Sequence, residues 1–147
     1  MTTLAYAGIC RSALSFDTQL WLRPEIVPQL REITDGIHSR GAKASIQIGH
    51  CGNMTHIRTA GGIPVGATTG FNLYSPTIVR GLRKDEVRDL AKSFGDAVRT
   101  ARDAGFDCVE VHAGHGYLIS QFLSPYTNRR RDEFGGSLDN RMRFTKH

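Results

Sequence analysis

The residues most suited to binding or catalysis are His112, His115 and Tyr117, which follow a short apolar run. Gly114 and Gly116 lie between them and allow a tight backbone course, so the three polar side chains should converge at the mouth of a βα loop. This convergence predicts the rim of a ligand-binding or active site. A structural alternative remains open, because single histidines at strand ends are often structural and Tyr117 could simply begin a short helix.

Two other kinds of site, a metal site and a phosphate-binding loop, also have to be considered. His50, Cys51 and Cys108 could join the two histidines around a metal ion, but the HxxH spacing has no second pair at a known distance, so we expect no metal site. The glycines between residues 61 and 70 could imitate a phosphate-binding loop. No Gly-Lys-Ser or Gly-Lys-Thr follows them, which favours a long βα loop over the active site.

Composition indicates a soluble, cytoplasmic protein. The chain is 39% apolar and 22% charged, no apolar run approaches the length of a membrane span, and no secretory segment is apparent. The three cysteines do not suggest a disulfide framework. The net charge of +5 is dispersed, and Asp132 and Glu133 offset the run 129–131, which we expect to be a solvated or salt-bridged loop. No nucleic-acid or membrane partner is therefore predicted.

Strand and helix patterns alternate along the chain. Residues 3–9, 42–48 and 106–112 have strand patterns, and the second of these should direct Ala44, Ile46 and Ile48 to the face opposite Ser45 and Gln47. One helix should begin at Pro24 and end before Gly41, and another should cover residues 84–104. The predicted apolar faces consist of Ile26, Leu30, Ile33 and Ile37 in the first helix, and Val87, Leu90, Ala91, Phe94, Ala97, Val98 and Ala101 in the second.

This alternation predicts an α/β fold built from right-handed parallel βαβ units. Both a doubly wound sheet and a (β/α)8 TIM barrel would place polar residues at the carboxyl ends of their strands. No GxGxxG motif follows a strand, which weakens the dinucleotide-binding version of the doubly wound sheet.

Five segments together resemble the old yellow enzyme family of FMN-dependent NADH:flavin oxidoreductases, and most of all its enoate and dienoyl-CoA reductase branch. They are Gln47-Ile-Gly-His-Cys-Gly52, Ala104-Gly-Phe-Asp107, His112-Ala-Gly-His-Gly-Tyr-Leu-Ile119, Ser124-Pro-Tyr-Thr-Asn-Arg129 and Asp132-Glu-Phe-Gly-Gly-Ser-Leu-Asp-Asn-Arg141. The resemblance implies one (β/α)8 barrel, a fold that needs about 250 residues. Residues 1–147 would then be a single partial domain covering roughly strands two to four and truncated at both ends, with Ser137 capping helix four.

The resemblance also implies roles for particular residues. Gln47 would hydrogen-bond the polar edge of FMN, and the small side chain of Ala5 would lie against the flavin. His112 and His115 would bind the oxygen of an unsaturated carbonyl substrate, so that reduced flavin can deliver hydride to the β-carbon. Tyr117 would protonate the α-carbon, and NAD(P)H would reduce the flavin.

Two functional hypotheses follow from these observations. The first is an FMN-dependent ene-reductase that reduces the C=C bond of α,β-unsaturated carbonyl or enoyl compounds. The second is a truncated, inactive remnant that cannot hold FMN alone, because the family binds the FMN phosphate with its first and last strands. In that case open sheet edges would favour self-association.

Overall fold

The computed structural model describes residues 1–73 and 76–146, without the side chain of Ala5. It is an α/β structure whose elements alternate as the sequence predicts, with short 3-10 helices at Arg11–Ala13 and Pro24–Ile26. The strands and α-helices are, in chain order, β1 (Thr2–Gly8), α1 (Val27–His38), β2 (Ala44–Gly49), α2 (Ile57–Ala60), β3 (Val65–Gly66), β4 (Gly70–Asn72), β5 (Thr77–Gly81), α3 (Lys84–Asp103), β6 (Cys108–Val111), α4 (Leu118–Leu123), α5 (Leu138–Arg141) and α6 (Arg143–Lys146).

The main sheet has the order β1-β2-β6, and both strand pairs are parallel. Ala44, Ile46 and Ile48 are fully buried against the apolar faces of α1 and α3. Successive side chains of a strand point to opposite faces, so Gln47 lies on the face turned away from these helices. The predicted alternation in β2 is confirmed, and Gln47 pairs in register with Glu110 of β6 on the same face.

Two residues predicted to lie on buried helix faces are exposed. Ile33 is 45% exposed, because α1 instead buries Thr34, whose hydroxyl donates a hydrogen bond of 2.7 Å to the carbonyl of Ala104. This hydrogen bond offsets the free-energy cost of burying the hydroxyl in the contact between α1 and α3. Val98 is 41% exposed, because the buried face of α3 is centred on Ala97 and Ala101. The prediction was wrong at both positions.

The segment predicted as a long glycine-rich loop contains a short helix and a second sheet. In this sheet β3 pairs in parallel with β5, and β4 pairs with β5 in the antiparallel direction. The three strands have only two to five residues each, which is too short for an alternating pattern to be recognised in the sequence.

Of the three consecutive arginines, Arg129 and Arg131 are exposed, whereas the side chain of Arg130 is largely buried in a salt bridge. Its side chain is 9% exposed, and its guanidinium donates two hydrogen bonds to Asp132, at 3.0 and 2.6 Å, and further bonds to the carbonyls of Ala67 and Leu82. Burial raises the pKa of Asp132, but hydrogen bonds from Arg130 and the Phe134 amide outweigh it and leave that pKa below its usual value. The expected solvated or salt-bridged loop is therefore present, and the bonds from Arg130 to the carbonyls of Ala67 and Leu82 connect the segment after α4 to residues that follow β3 and β5.

The two outer strands of the main sheet have open edges. Apart from a bridge between Gly8 and Trp21, no strand in the described residues pairs with the outer edge of β1 or β6.

Near the other end of the chain, Ser137 accepts a hydrogen bond of 3.3 Å from the amide of Asn140, which confirms it as an N-cap. No helix in the described ranges has the length and apolar composition needed to cross a bilayer.

Candidate active site

The structure brings His112, His115 and Tyr117 together at the carboxyl end of β6. The ring centroids of His112 and Tyr117 are 4.9 Å apart, and those of His112 and His115 are 5.0 Å apart. Nδ1 of His115 lies 3.3 Å from Nε2 of His112. His112 is 9% exposed, whereas His115 is exposed. The convergence predicted from the two glycines is therefore present.

Backbone hydrogen bonds explain how the strand leads into this cluster. The amide of His112 donates to the carbonyl of Ile48 at 2.8 Å, which continues the ladder between β2 and β6 past the end of β6. His115 then adopts a φ of 55°, in the left-handed region that residues other than glycine rarely occupy, and Gly116 follows with a φ of 71°. This turn directs the His115 ring back toward His112, before Tyr117 takes the N-cap position of α4.

The position of His112 in this pair favours its neutral ring. A hydrogen bond between Nδ1 of His115 and Nε2 of His112 requires one nitrogen to donate and the other to accept. Burial lowers the pKa of His112 and the neighbouring His115 lowers it further, against a smaller opposite effect from Glu110. At neutral pH, His112 is therefore an uncharged hydrogen-bonding group.

Gln47 lies two residues before the end of β2, on the same face of the sheet as Glu110. Its Nε2 donates a hydrogen bond of 2.7 Å to Oε1 of Glu110. This bond orients the amide, and an amide held in this way still has a second N–H to donate and Oε1 to accept. The donor and acceptor set fits the polar edge of a flavin ring, which presents both kinds of group.

Ala5, the other residue predicted to contact the flavin, lies in β1, but its side chain is outside the described part of the structure. The register between β1 and β2 shifts between Leu4 and Ala7. Because Leu4 pairs with Ile46 and Ala7 pairs with Ile48, Ala5 and Tyr6 both stand opposite Gln47.

Sequence reasoning missed Tyr6, which packs against the cluster. Its ring centroid lies 5.8 Å from that of His112 and 5.3 Å from that of Tyr117, and both contacts are edge-to-face. Its hydroxyl donates to the carbonyl of Ala13 at 2.9 Å. A Cβ at Gly49 would lie 2.5 Å from the Tyr6 ring, so glycine is needed there. A tyrosine within a strand pattern gives no signal of such a contact.

His50 directly follows β2 and is buried beside the cluster's supporting strands. It is 1% exposed, its Nδ1 accepts from the amide of Gly52 at 2.9 Å, and its Nε2 lies 3.1 Å from Oγ of Ser12. Because Nδ1 accepts, Nε2 carries the proton and donates a hydrogen bond to Oγ of Ser12. Burial lowers the pKa of His50 to about 3. Both ring nitrogens are thus engaged within the protein, and the described residues contain no group of three His, Cys, Asp or Glu side chains suited to a metal ion.

An apolar hollow opens beside His115. It has a volume of about 440 Å³, and the residues that line it include Met54, Phe71, Leu73 and Tyr126. Phe71 and Leu73 belong to the segment that the sequence suggested would cover the active site, and both are exposed. This hollow offers apolar surface next to the imidazole pair.

Parallel strands with polar clusters at their carboxyl ends and helices on the opposite face define part of a (β/α)8 barrel with an active-site rim. The sequence profile of the NADH:flavin oxidoreductase / NADH oxidase family matches residues 11–147, and the chain belongs to that family. Members of this family use FMN, with NAD(P)H as the reductant.

Three known proteins illustrate the similarity. An NADPH dehydrogenase of Listeria welshimeri is 43% identical over 128 residues, which cover 87% of this chain and 37% of that enzyme. The old yellow enzyme homologue from Zymomonas mobilis superposes with a TM-score of 0.90 at 31% identity, over 98% of this chain and 44% of that one. Morphinone reductase in complex with tetrahydroNAD superposes with a TM-score of 0.92 at 27% identity, over 98% and 45%. The chain therefore spans less than half the length of these relatives.

Proposed function

We propose that this chain provides the substrate-side part of an FMN-dependent ene-reductase that reduces the C=C bond of α,β-unsaturated carbonyl or enoyl compounds. NAD(P)H would be the reductant. The single observation that carries the proposal is the cluster of two imidazoles and a phenol at the end of β6, on the strand next to the one that bears Gln47.

Gln47 and Ala5 would hold the flavin. The Gln47 amide, fixed by Glu110, would hydrogen-bond the polar edge of the ring, and Ala5 would leave room for the flat ring near the backbone. When bound, the reduced flavin supplies a hydride to the β-carbon of the substrate.

His112 and His115 would bind the substrate oxygen. Their facing nitrogens lie 3.3 Å apart, so an oxygen at the mouth of the pair could accept a hydrogen bond from each ring after the bond between the rings opens. Negative charge grows on this oxygen as hydride reaches the β-carbon, and N–H groups aimed at it stabilise the transition state more than the ground state. The low pKa of His112 keeps this ring neutral, so it serves as a hydrogen-bond donor instead of an acid.

Tyr117 would supply the proton that completes the reduction. Its ring stands edge-on to His112 with centroids 4.9 Å apart, which would bring its hydroxyl near a substrate held by the imidazoles. The phenol O–H bond breaks, the electron pair of the enolate forms a C–H bond at the α-carbon, and the charge remains on the phenolate oxygen. Position matters more than acidity here, because the enolate is a strong base.

The test is a chimera in which this chain replaces the matching segment of the Listeria welshimeri NADPH dehydrogenase. The chimera should purify with FMN and oxidise NADPH when 2-cyclohexen-1-one is added. Tyr117→Phe should lower kcat by about 100-fold or more with little change in FMN content. Ser39→Ala is the control for loss of a hydroxyl, because Ser39 is exposed at the end of α1, outside the cluster and the apolar hollow, and it should leave kcat within about 2-fold.

The two imidazoles should hydrogen-bond the substrate oxygen in both the ground state and the transition state. A His112→Ala, His115→Ala double variant should raise KM and lower kcat, with a loss in kcat/KM of about 100-fold or more, because two hydrogen bonds to a charged oxygen are removed. A chimera that holds FMN but reduces the enone equally well without the imidazoles or without the phenol would contradict the assigned roles.

The second candidate is a chain that has no activity by itself. The open outer edges of β1 and β6 favour it, because unpaired parallel strands invite pairing with another chain. Titration of the 147-residue chain with FMN, together with sedimentation, tests this candidate. Self-association without flavin uptake would support it, whereas a monomer that binds FMN would exclude it.

A further inference from the structure

Ser15 makes a direct contact with the hydroxyl of Tyr117. Its Oγ lies 2.8 Å from the Tyr117 hydroxyl oxygen, a contact between residues 102 positions apart in the sequence. Ser15 is 7% exposed, so this hydrogen bond is largely shielded from competing water.

The segment around Ser15 is held in place independently of Tyr117. The amide of Ser15 donates to Oε1 of Gln19 at 2.7 Å. The carbonyl of Leu14 accepts from Oγ1 of Thr55 at 2.7 Å and from Sγ of Cys51 at 3.3 Å. These bonds fix the backbone on both sides of the Ser15 hydroxyl, so its position is set before any substrate binds.

The hydroxyl proton of Tyr6 is not available to a negatively charged Tyr117 oxygen. Tyr6 packs edge-on against Tyr117, but its own hydroxyl donates to the carbonyl of Ala13. Ser15 is therefore the described side chain whose hydroxyl is bonded to the phenol oxygen.

We propose that Ser15 is a positioning residue for Tyr117, which aims the phenol hydroxyl at the substrate and hydrogen-bonds the phenolate left after proton transfer. The inference rests on the proposed function of Tyr117. When the phenol proton forms the new C–H bond, the oxygen gains a negative charge, and the Ser15 hydroxyl then donates to it. Hydrogen bonds to a charged oxygen are stronger than those between neutral groups, so the contact stabilises the proton-transfer step selectively.

The kinetic test uses the same chimera. Ser15→Ala should lower kcat about 10- to 100-fold, while KM stays within about 2-fold, because the contact strengthens only as charge develops. Ser15→Thr, which keeps the hydroxyl, should restore most of kcat. In a Tyr117→Phe background, Ser15→Ala should have no further effect, since the two residues act through one oxygen.

Thr18→Ala is the control for disturbance of the loop, because Thr18 lies in the same segment and is exposed. It should leave kcat within about 2-fold. An equal loss of kcat in Thr18→Ala and Ser15→Ala, or a loss in the Tyr117→Phe background, would overturn the proposal. If Tyr117→Phe itself leaves kcat unchanged, the proposed function of Tyr117 fails. If Tyr117→Phe slows the reaction and Ser15→Ala does not, only the role of Ser15 fails.

A second readout does not depend on turnover. With tyrosine labelled by ¹³C at Cζ, the NMR resonance of Tyr117 can be assigned by its absence in Tyr117→Phe. Because Cζ carries the hydroxyl, its chemical shift responds to the hydrogen bond with Ser15. The resonance should move in Ser15→Ala and return close to its original position in Ser15→Thr. An unchanged resonance in Ser15→Ala would show that the contact is absent in solution and would overturn the proposal.

Discussion

Acidification should destabilise this protein through His50 before its carboxylates titrate. Burial lowers the pKa of His50 from 6.5 to about 3 in the folded chain. The unfolded chain therefore takes up the proton first, so the stability is fully present above the unfolded pKa and is lost as the pH falls toward the folded one. Between pH 6.5 and about pH 5 the loss is about 2 kcal/mol, since each pH unit corresponds to about 1.4 kcal/mol.

The assay is urea unfolding across this pH range, followed by the fluorescence of Trp21, the single tryptophan. His50→Gln should be less stable near neutral pH, because it loses the fitted bonds to Gly52 and Ser12, but its stability should vary less between about pH 6.5 and pH 5. His56→Gln is the matched control for the same exchange at an exposed histidine, and the pH dependence of stability should change more in His50→Gln than in this variant.

The difference between the parent and His50→Gln isolates this one group. Both proteins retain His112, whose pKa is also lowered, so its contribution cancels in the comparison. If the two proteins lose stability in parallel as the pH falls through this range, His50 does not titrate as its burial requires, and the reasoning is refuted.

Two further substitutions test the packing around the site by thermal or urea unfolding. Arg130→Ala should lower the free energy of unfolding by about 3 kcal/mol, because it leaves a carboxylate and two carbonyls unpaired in a largely buried place, whereas Arg131→Ala at the exposed neighbour should change it by less than about 0.5 kcal/mol. Equal effects would show that the buried bridge does not stabilise the fold. Gly49→Ala should cost about 1–3 kcal/mol, because its Cβ would lie 2.5 Å from the Tyr6 ring. Gly36→Ala in α1 has open space around it and should be neutral or stabilising, so a harmless Gly49→Ala would refute the close packing.

Local pattern alone predicted the strands of the main sheet, the two long helices and the relative directions of neighbouring side chains. The alternation in β2 placed Gln47 on the face opposite Ile46 and Ile48, because successive strand side chains must point to opposite faces. The two glycines among His112, His115 and Tyr117 likewise predicted a turn that gathers these side chains. These predictions succeeded because the residues lie within a few positions of one another, where the backbone geometry fixes their relative directions.

Helix faces were predicted less accurately, because tertiary contacts select the buried side. Ile33 is more apolar than Thr34, yet Thr34 is the buried residue. Its hydroxyl donates to the carbonyl of Ala104, just after α3, and no pattern within α1 contains that acceptor. The burial of Arg130 has the same origin, because the carbonyls of Ala67 and Leu82 come from a distant part of the chain.

The sequence by itself determined the βα alternation, the family resemblance and the cluster of His112, His115 and Tyr117. Only the tertiary structure decided that Tyr6 and Ser15 contact this cluster, since each is more than a hundred positions away from Tyr117 along the chain. Parallel pairing of β1, β2 and β6 brings their carboxyl ends to one edge, and the loops that follow these strands meet there. Side chains without any local motif thus become part of the site.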